Sequence, residues 1–89
     1  MSIYRSAQQT LSTSYGSAIT IDSGASAISV TLDDSSIGFT VKINDVNEED
    51  VPAGSSWQLQ PPRPGIGDEL PIKIKAASGT PKASVVWFK

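Results

Sequence analysis

Nine carboxylates, seven basic side chains and a large set of serine and threonine hydroxyls make up the reactive inventory of this 89-residue chain, which has no cysteine and no histidine. Their absence removes the thiol nucleophile, the commonest metal ligand and the commonest general base. The densest cluster is Asn44-Asp45-Val46-Asn47-Glu48-Glu49-Asp50. Its Asp45, Asn47, Glu49 and Asp50 offer hard oxygen donors at short spacing, but the central glycine and distal glutamate of an EF-hand loop are missing. A solvated acidic loop is the better reading. Asp33-Asp34 beside Ser35-Ser36 offers half of a paired-carboxylate site. Neighbouring residues on a strand point to opposite faces, so this pair does not set the fixed gap that acid–base hydrolysis needs. A turn bonded to its own side chains suits these residue types better. A Ser-Lys dyad with Lys42, Lys73 or Lys75 lacks any nucleophile motif around the serine. The inventory therefore points away from an enzyme, with no catalytic residue, no cofactor and no metal expected.

Binding chemistry is the next class to weigh. Trp57, Trp87, Phe39 and Phe88 would stack on sugar faces if their rings were exposed. Both tryptophans sit in strand-like patterns, which favours the core. Pro61-Pro62-Arg63-Pro64-Gly65-Ile66-Gly67-Asp68 reads as an extended, polyproline-II-like segment. It is a rigid connector, a contact arm against a neighbouring subunit, or, less suitably, a ligand for proline-reading domains. In the contact reading Pro62 stiffens the segment, Arg63 anchors a carboxylate in bidentate fashion, and Ile66 is an apolar plug. The net charge of −2 argues against nucleic acid, whose phosphates require a basic excess. All nine acids fall within residues 22–69, whereas residues 70–89 hold four lysines and no acid. Either these charges pair across strands within the fold, or they form complementary faces on neighbouring subunits.

The elements that must hold these residues are strands. Ile and Val far outnumber Leu, and no stretch keeps a helical apolar period. Period-2 alternation runs through residues 18–22, 28–32, 39–44, 57–60 and 70–76. Residues 83–89 are apolar on both faces, as in a central or doubly covered strand. A further strand is expected near Gln9–Ser14. Turn signals fall at Ser23-Gly24-Ala25, read as a short hairpin, at Asp33–Ser36, at Pro52–Ser55 and at Ser78–Pro81. The expectation is one all-β domain over residues 8–89, a small antiparallel β-sandwich of about seven or eight short strands, with an N-terminal arm over residues 1–7. Tyr4 and Arg5 are the candidate contact residues of that arm. No apolar run is long enough for a membrane-spanning helix, and the first residues lack a signal-peptide layout. So small a chain usually needs a disulfide, a metal or a partner copy to hold its core. Without cysteine, self-association is the remaining staple.

One pattern in the second half extends this reading. The turn Pro52-Ala53-Gly54-Ser55-Ser56-Trp57 opens a strand. Ile72-Lys73-Ile74-Lys75-Ala76-Ala77-Ser78-Gly79-Thr80 then leads into Ala83-Ser84-Val85-Val86-Trp87-Phe88. Over residues 50–89 this layout resembles small β-sandwich virion proteins of tailed bacteriophages, among them capsid decoration (cement) proteins and small head or tail-fibre modules. The resemblance implies a jelly-roll-like sandwich, often a homotrimer, bound through the major capsid or another virion protein to the outer surface of an icosahedral shell. There it would bridge capsomers against internal pressure. A receptor- or glycan-binding module of a fibre or tail is the alternative, and it requires an exposed Trp57 or Trp87.

Overall fold

Alternation becomes burial. In Leu70–Ala76 the residues Leu70, Ile72, Ile74 and Ala76 face the interior, while Pro71, Lys73 and Lys75 stand on the half-exposed side. Lys82–Phe88 buries Ala83, Val85 and Trp87 in the same way. β-branched side chains at these positions suit a pleated surface with one dry face. The computed structural model describes residues 4–60 and 69–88. These form eight strands: β1 (Tyr4–Thr10), β2 (Ile19–Ile21), β3 (Ala27–Leu32), β4 (Phe39–Ile43), β5 (Asn47–Val51), β6 (Trp57–Leu59), β7 (Leu70–Ala76) and β8 (Lys82–Phe88).

Two four-stranded sheets result, ordered β1-β8-β3-β6 (sheet A) and β2-β7-β4-β5 (sheet B), with every pairing antiparallel. β1 pairs β8, β2 pairs β7, β3 pairs β6 and β4 pairs β5, so partners lie about equally far on either side of Asn44-Asp45. The chain is one long hairpin whose ribbon is rolled so that successive pairs alternate between sheets. This is jelly-roll wrapping, and the expected antiparallel sandwich is the fold the chain has. The ribbon's tip is a tight turn in which Asn44 and Asp45 both take φ of 55° and Val46 N–H donates to the Ile43 carbonyl at 3.0 Å. Hairpin turns with two left-handed residues match strand twist, and Asn and Asp are among the few side chains that tolerate that region. Among the described residues, the largest fully buried side chains are Ile21, Ile28, Val30, Val41, Ile72, Ile74 and Val85.

Three features differ from the sequence reading. The turn Asp22-Ser23-Gly24-Ala25, closed by Ala25 N–H on the Asp22 carbonyl, joins strands of opposite sheets and is not a hairpin. Gly24, at φ 84°, turns the chain across the sandwich instead. The acidic segment is not a loop beyond Val46: Asn47–Val51 is the edge strand β5, paired with β4 from Val51 opposite Phe39 to Asn47 opposite Ile43. Residues 4–7, expected in an arm, are the first half of β1, and the strand expected near Gln9–Ser14 ends at Thr10.

Candidate functional site

The charged groups are largely consumed inside the fold. Asp45 forms an ion pair with Lys73 at 2.7 Å, which holds its carboxyl below the ordinary 3.8. Asp50 accepts from Thr40 Oγ1 at 2.8 Å, and Glu49 accepts from the Trp57 indole N–H at 2.5 Å. The three carboxylates considered for calcium, Asp45, Glu49 and Asp50, therefore go to separate partners. Among the described residues, no group of three or more Asp and Glu is placed to hold a metal ion. Asp34 does bond its own turn: Ser36 donates both N–H (2.9 Å) and Oγ–H (2.6 Å) to Asp34 Oδ1, lowering its pKa below 3.8. Asp33 accepts from the Lys82 N–H at 2.9 Å, tying that turn to β8. A cleft of about 190 Å³ beside it is lined by Thr31, Asp34, Ile37 and Ser55 among others.

The tryptophans are interior. Trp57 is 4% and Trp87 6% exposed, so neither offers a stacking platform, as the core reading expected. Each indole instead reaches a carboxylate of the opposite sheet. Trp57, on edge strand β6, donates to Glu49 on edge strand β5. On the other side, Trp87 of β8 donates at 3.1 Å to Asp22, just after edge strand β2, and Arg5 of β1 closes on the same carboxylate at 2.9 Å. Both open sides of the sandwich are thus bridged by an indole–carboxylate bond. Sequence reasoning did not find these pairs. The one local hint is Glu49, whose place opposite buried Val41 turns it toward the interior side of β5.

The two outer faces differ in kind. Sheet B is charged: Lys42 stands between Glu48 and Lys73, and Thr40 between Asp50 and Lys75. Tyr15, from the segment joining β1 to β2, lies across this face. Its hydroxyl donates to Glu48 Oε1 at 2.6 Å, and the Lys75 and Lys42 ammonium groups stand 4.8 and 5.2 Å from its ring centroid. Partial burial, then the bond to Glu48 and the charges of Glu48 and Asp50, push the phenol up to about 12. Of the lysines and acids behind the charge asymmetry, Lys73 and Asp45 form an ion pair within the chain, and Tyr15 lies between Glu48 and the ammonium groups of Lys42 and Lys75.

Sheet A carries almost no charge. Ser6, Val86, Ser29 and Gln58 form one row across all four strands, and Gln8, Ser84 and Thr31 form the next. Among the described residues of this face only Lys82, at one end, is charged. A shallow depression of about 160 Å³ runs between Ala27, Ser29, Gln58, Val86 and Phe88. The sequence signal for this face was the apolar character of β8 on both sides. Of the expected contact residues, Arg5 is engaged within the chain by Asp22. Tyr4 is paired through its backbone with Phe88. Pro62, Arg63 and Ile66 lie outside the described residues. No family model, no curated protein and no solved structure matches this chain.

Proposed function

We propose that this protein is a non-enzymatic structural component of a phage particle, a capsid decoration protein whose sheet A outer face lies on the shell. The observation that carries the reading is the contrast between the two faces of one small jelly roll. Stable protein contacts deplete charge at their centre. The face of Ser6, Val86, Ser29 and Gln58 meets that requirement, whereas the face of Lys42, Lys73, Lys75 and Glu48 suits solvent. Jelly rolls recur in viral capsid domains and also in lectins, so the fold supports the reading without deciding it. The buried indoles favour it over the aromatic-platform form of a glycan-binding module. Many weak contacts repeated over a shell would give firm attachment by avidity.

The test uses particles of the phage whose genome encodes this chain, prepared without it and then resupplied. Wild-type protein is expected to bind and to raise the temperature at which packaged DNA is released. Val86→Lys, which puts a charge at the centre of the sheet A face, is expected to stay folded and lose binding. Lys75→Glu on the opposite face is expected to bind as wild type. Equal binding of Val86→Lys and wild type, or no binding by wild type, would overturn the proposal.

A further inference from the structure

We infer that the free edge of β1 pairs with the β1 edge of a second copy, making a two-fold dimer with one continuous eight-stranded sheet. This goes beyond attachment to a shell and does not depend on it. Each sheet has two edges, and an unpaired edge is a template for another strand unless something blocks it. β5 is blocked by three successive acids, Glu48, Glu49 and Asp50, which a second copy would meet with its own. β2 and β6 are only three residues each. Beyond β2 the β7 edge is already taken, since Ala76 N–H donates to the Ser12 carbonyl and Gly16 N–H to the Ile74 carbonyl.

β1 has none of these defences. It runs seven residues with no acid and no proline. Its one charge, Arg5, is held by Asp22 on the inner side. Among the described residues, the backbone of residues 5–10 makes no hydrogen bond beyond the ladder to β8. The strand also complements itself. About a two-fold axis at Ala7, Ser6 faces Gln8 of the second copy and Arg5 faces Gln9, so no like charges meet. Joined this way, the two sheet A faces, each charged among the described residues only at the Lys82 end, become one surface.

A single strand pair falls at the small end of specific interfaces, so the dimer is expected to be concentration-dependent. Sedimentation equilibrium of the full chain from about 5 to about 500 µM should show mass rising from 9.4 kDa toward twice that value. Two double variants test edge and register. Ser6→Lys/Gln8→Glu creates two opposite-charge pairs across the axis and should tighten the dimer about tenfold, whereas Ser6→Lys/Gln8→Lys creates two like-charge pairs and should weaken it about as much. Thr13→Lys/Thr20→Lys adds the same charge away from this edge and should leave the affinity within about twofold of wild type. A monomer throughout the range, a trimer, or equal affinities for the two Ser6/Gln8 variants would overturn the inference. Folding of each variant is checked by its near-UV circular dichroism, and if one unfolds the opposite-charge Ser6→Glu/Gln8→Lys or the like-charge Ser6→Glu/Gln8→Glu variant replaces it.

Discussion

Replacing Trp57 by Phe removes one of the two indole bridges between the sheets while keeping an aromatic ring in the core. The lost hydrogen bond runs to a carboxylate, a class worth about 1.5–3 kcal/mol. Glu49 lies on an exposed edge strand and regains water when released, so the lower half of that range applies. Shrinking a side chain that is only 4% exposed adds about 1 kcal/mol for the void left behind. The total is about 2–3 kcal/mol. A domain of this size loses roughly 4–8 °C of Tm per kcal/mol, which gives a fall of about 10–20 °C by calorimetry. Phe substitution alone mixes packing with bonding, so the decisive experiment is the cycle of Trp57→Phe, Glu49→Ala and the double variant in urea denaturation. A coupling of about 1–2 kcal/mol is expected. Coupling below about 0.3 kcal/mol, the scatter of independent sites, would refute the idea that this bond ties the sheets.

The Tyr15 phenol should ionise near 12 in the folded protein, against an ordinary 10.0. Because the folded value is the higher one, its contribution to stability is complete below pH 10 and disappears as pH rises through about 12. The absorbance difference between wild type and Tyr15→Phe follows it directly, and Glu48→Gln should lower the value only part of the way, since partial burial is the larger cause. Asp34 and Asp45 behave in the opposite sense. Their contributions are present above pH 3.8 and are lost as pH falls through their lowered folded values. Carboxyl carbon NMR should show Lys73→Met returning Asp45 toward the ordinary range while leaving Asp34 unmoved. Gly38→Ala places a methyl group 2.9 Å from the Val51 carbonyl oxygen and 3.3 Å from the Ala53 nitrogen, both backbone atoms that cannot swing aside. A loss of about 1–3 kcal/mol is expected, seen as a lower urea midpoint at unchanged slope.

Strands whose dry face is continuous were readable from the residues alone. Alternation marked β2, β3, β4, β6 and β7 because each turns one side to the core, and β8 was readable as a central strand from its apolar residues on both faces. β5 was not readable, because an edge strand with acids at three of five positions carries little propensity, and its pairing with β4 overrides it. The start of β1 was hidden for the same reason: Ser6, Gln8 and Thr10 face outward on an edge. The turn at Gly24 looks like a hairpin locally, and only the distant partners of β2 and β3 place those strands in different sheets. Trp57 and Trp87 were recognisable as core, but their carboxylate partners were not. Asp22 is 65 residues from Trp87 and meets it only after the ribbon is rolled. The charge asymmetry left intrachain pairing and complementary subunit faces open, and within the chain Lys73 pairs with Asp45 while β4 lies between the lysines of β7 and the acids of β5.

The proposed place on a shell is tested most directly by cryo-electron reconstruction of particles purified from cells whose genome encodes this chain. Density for the jelly roll on the outside of the shell, with Val86 and Ser29 against the capsid and Tyr15 toward solvent, is the expected result. Its absence from the shell, or a contact made through the Lys42, Lys75 and Tyr15 face, would contradict it.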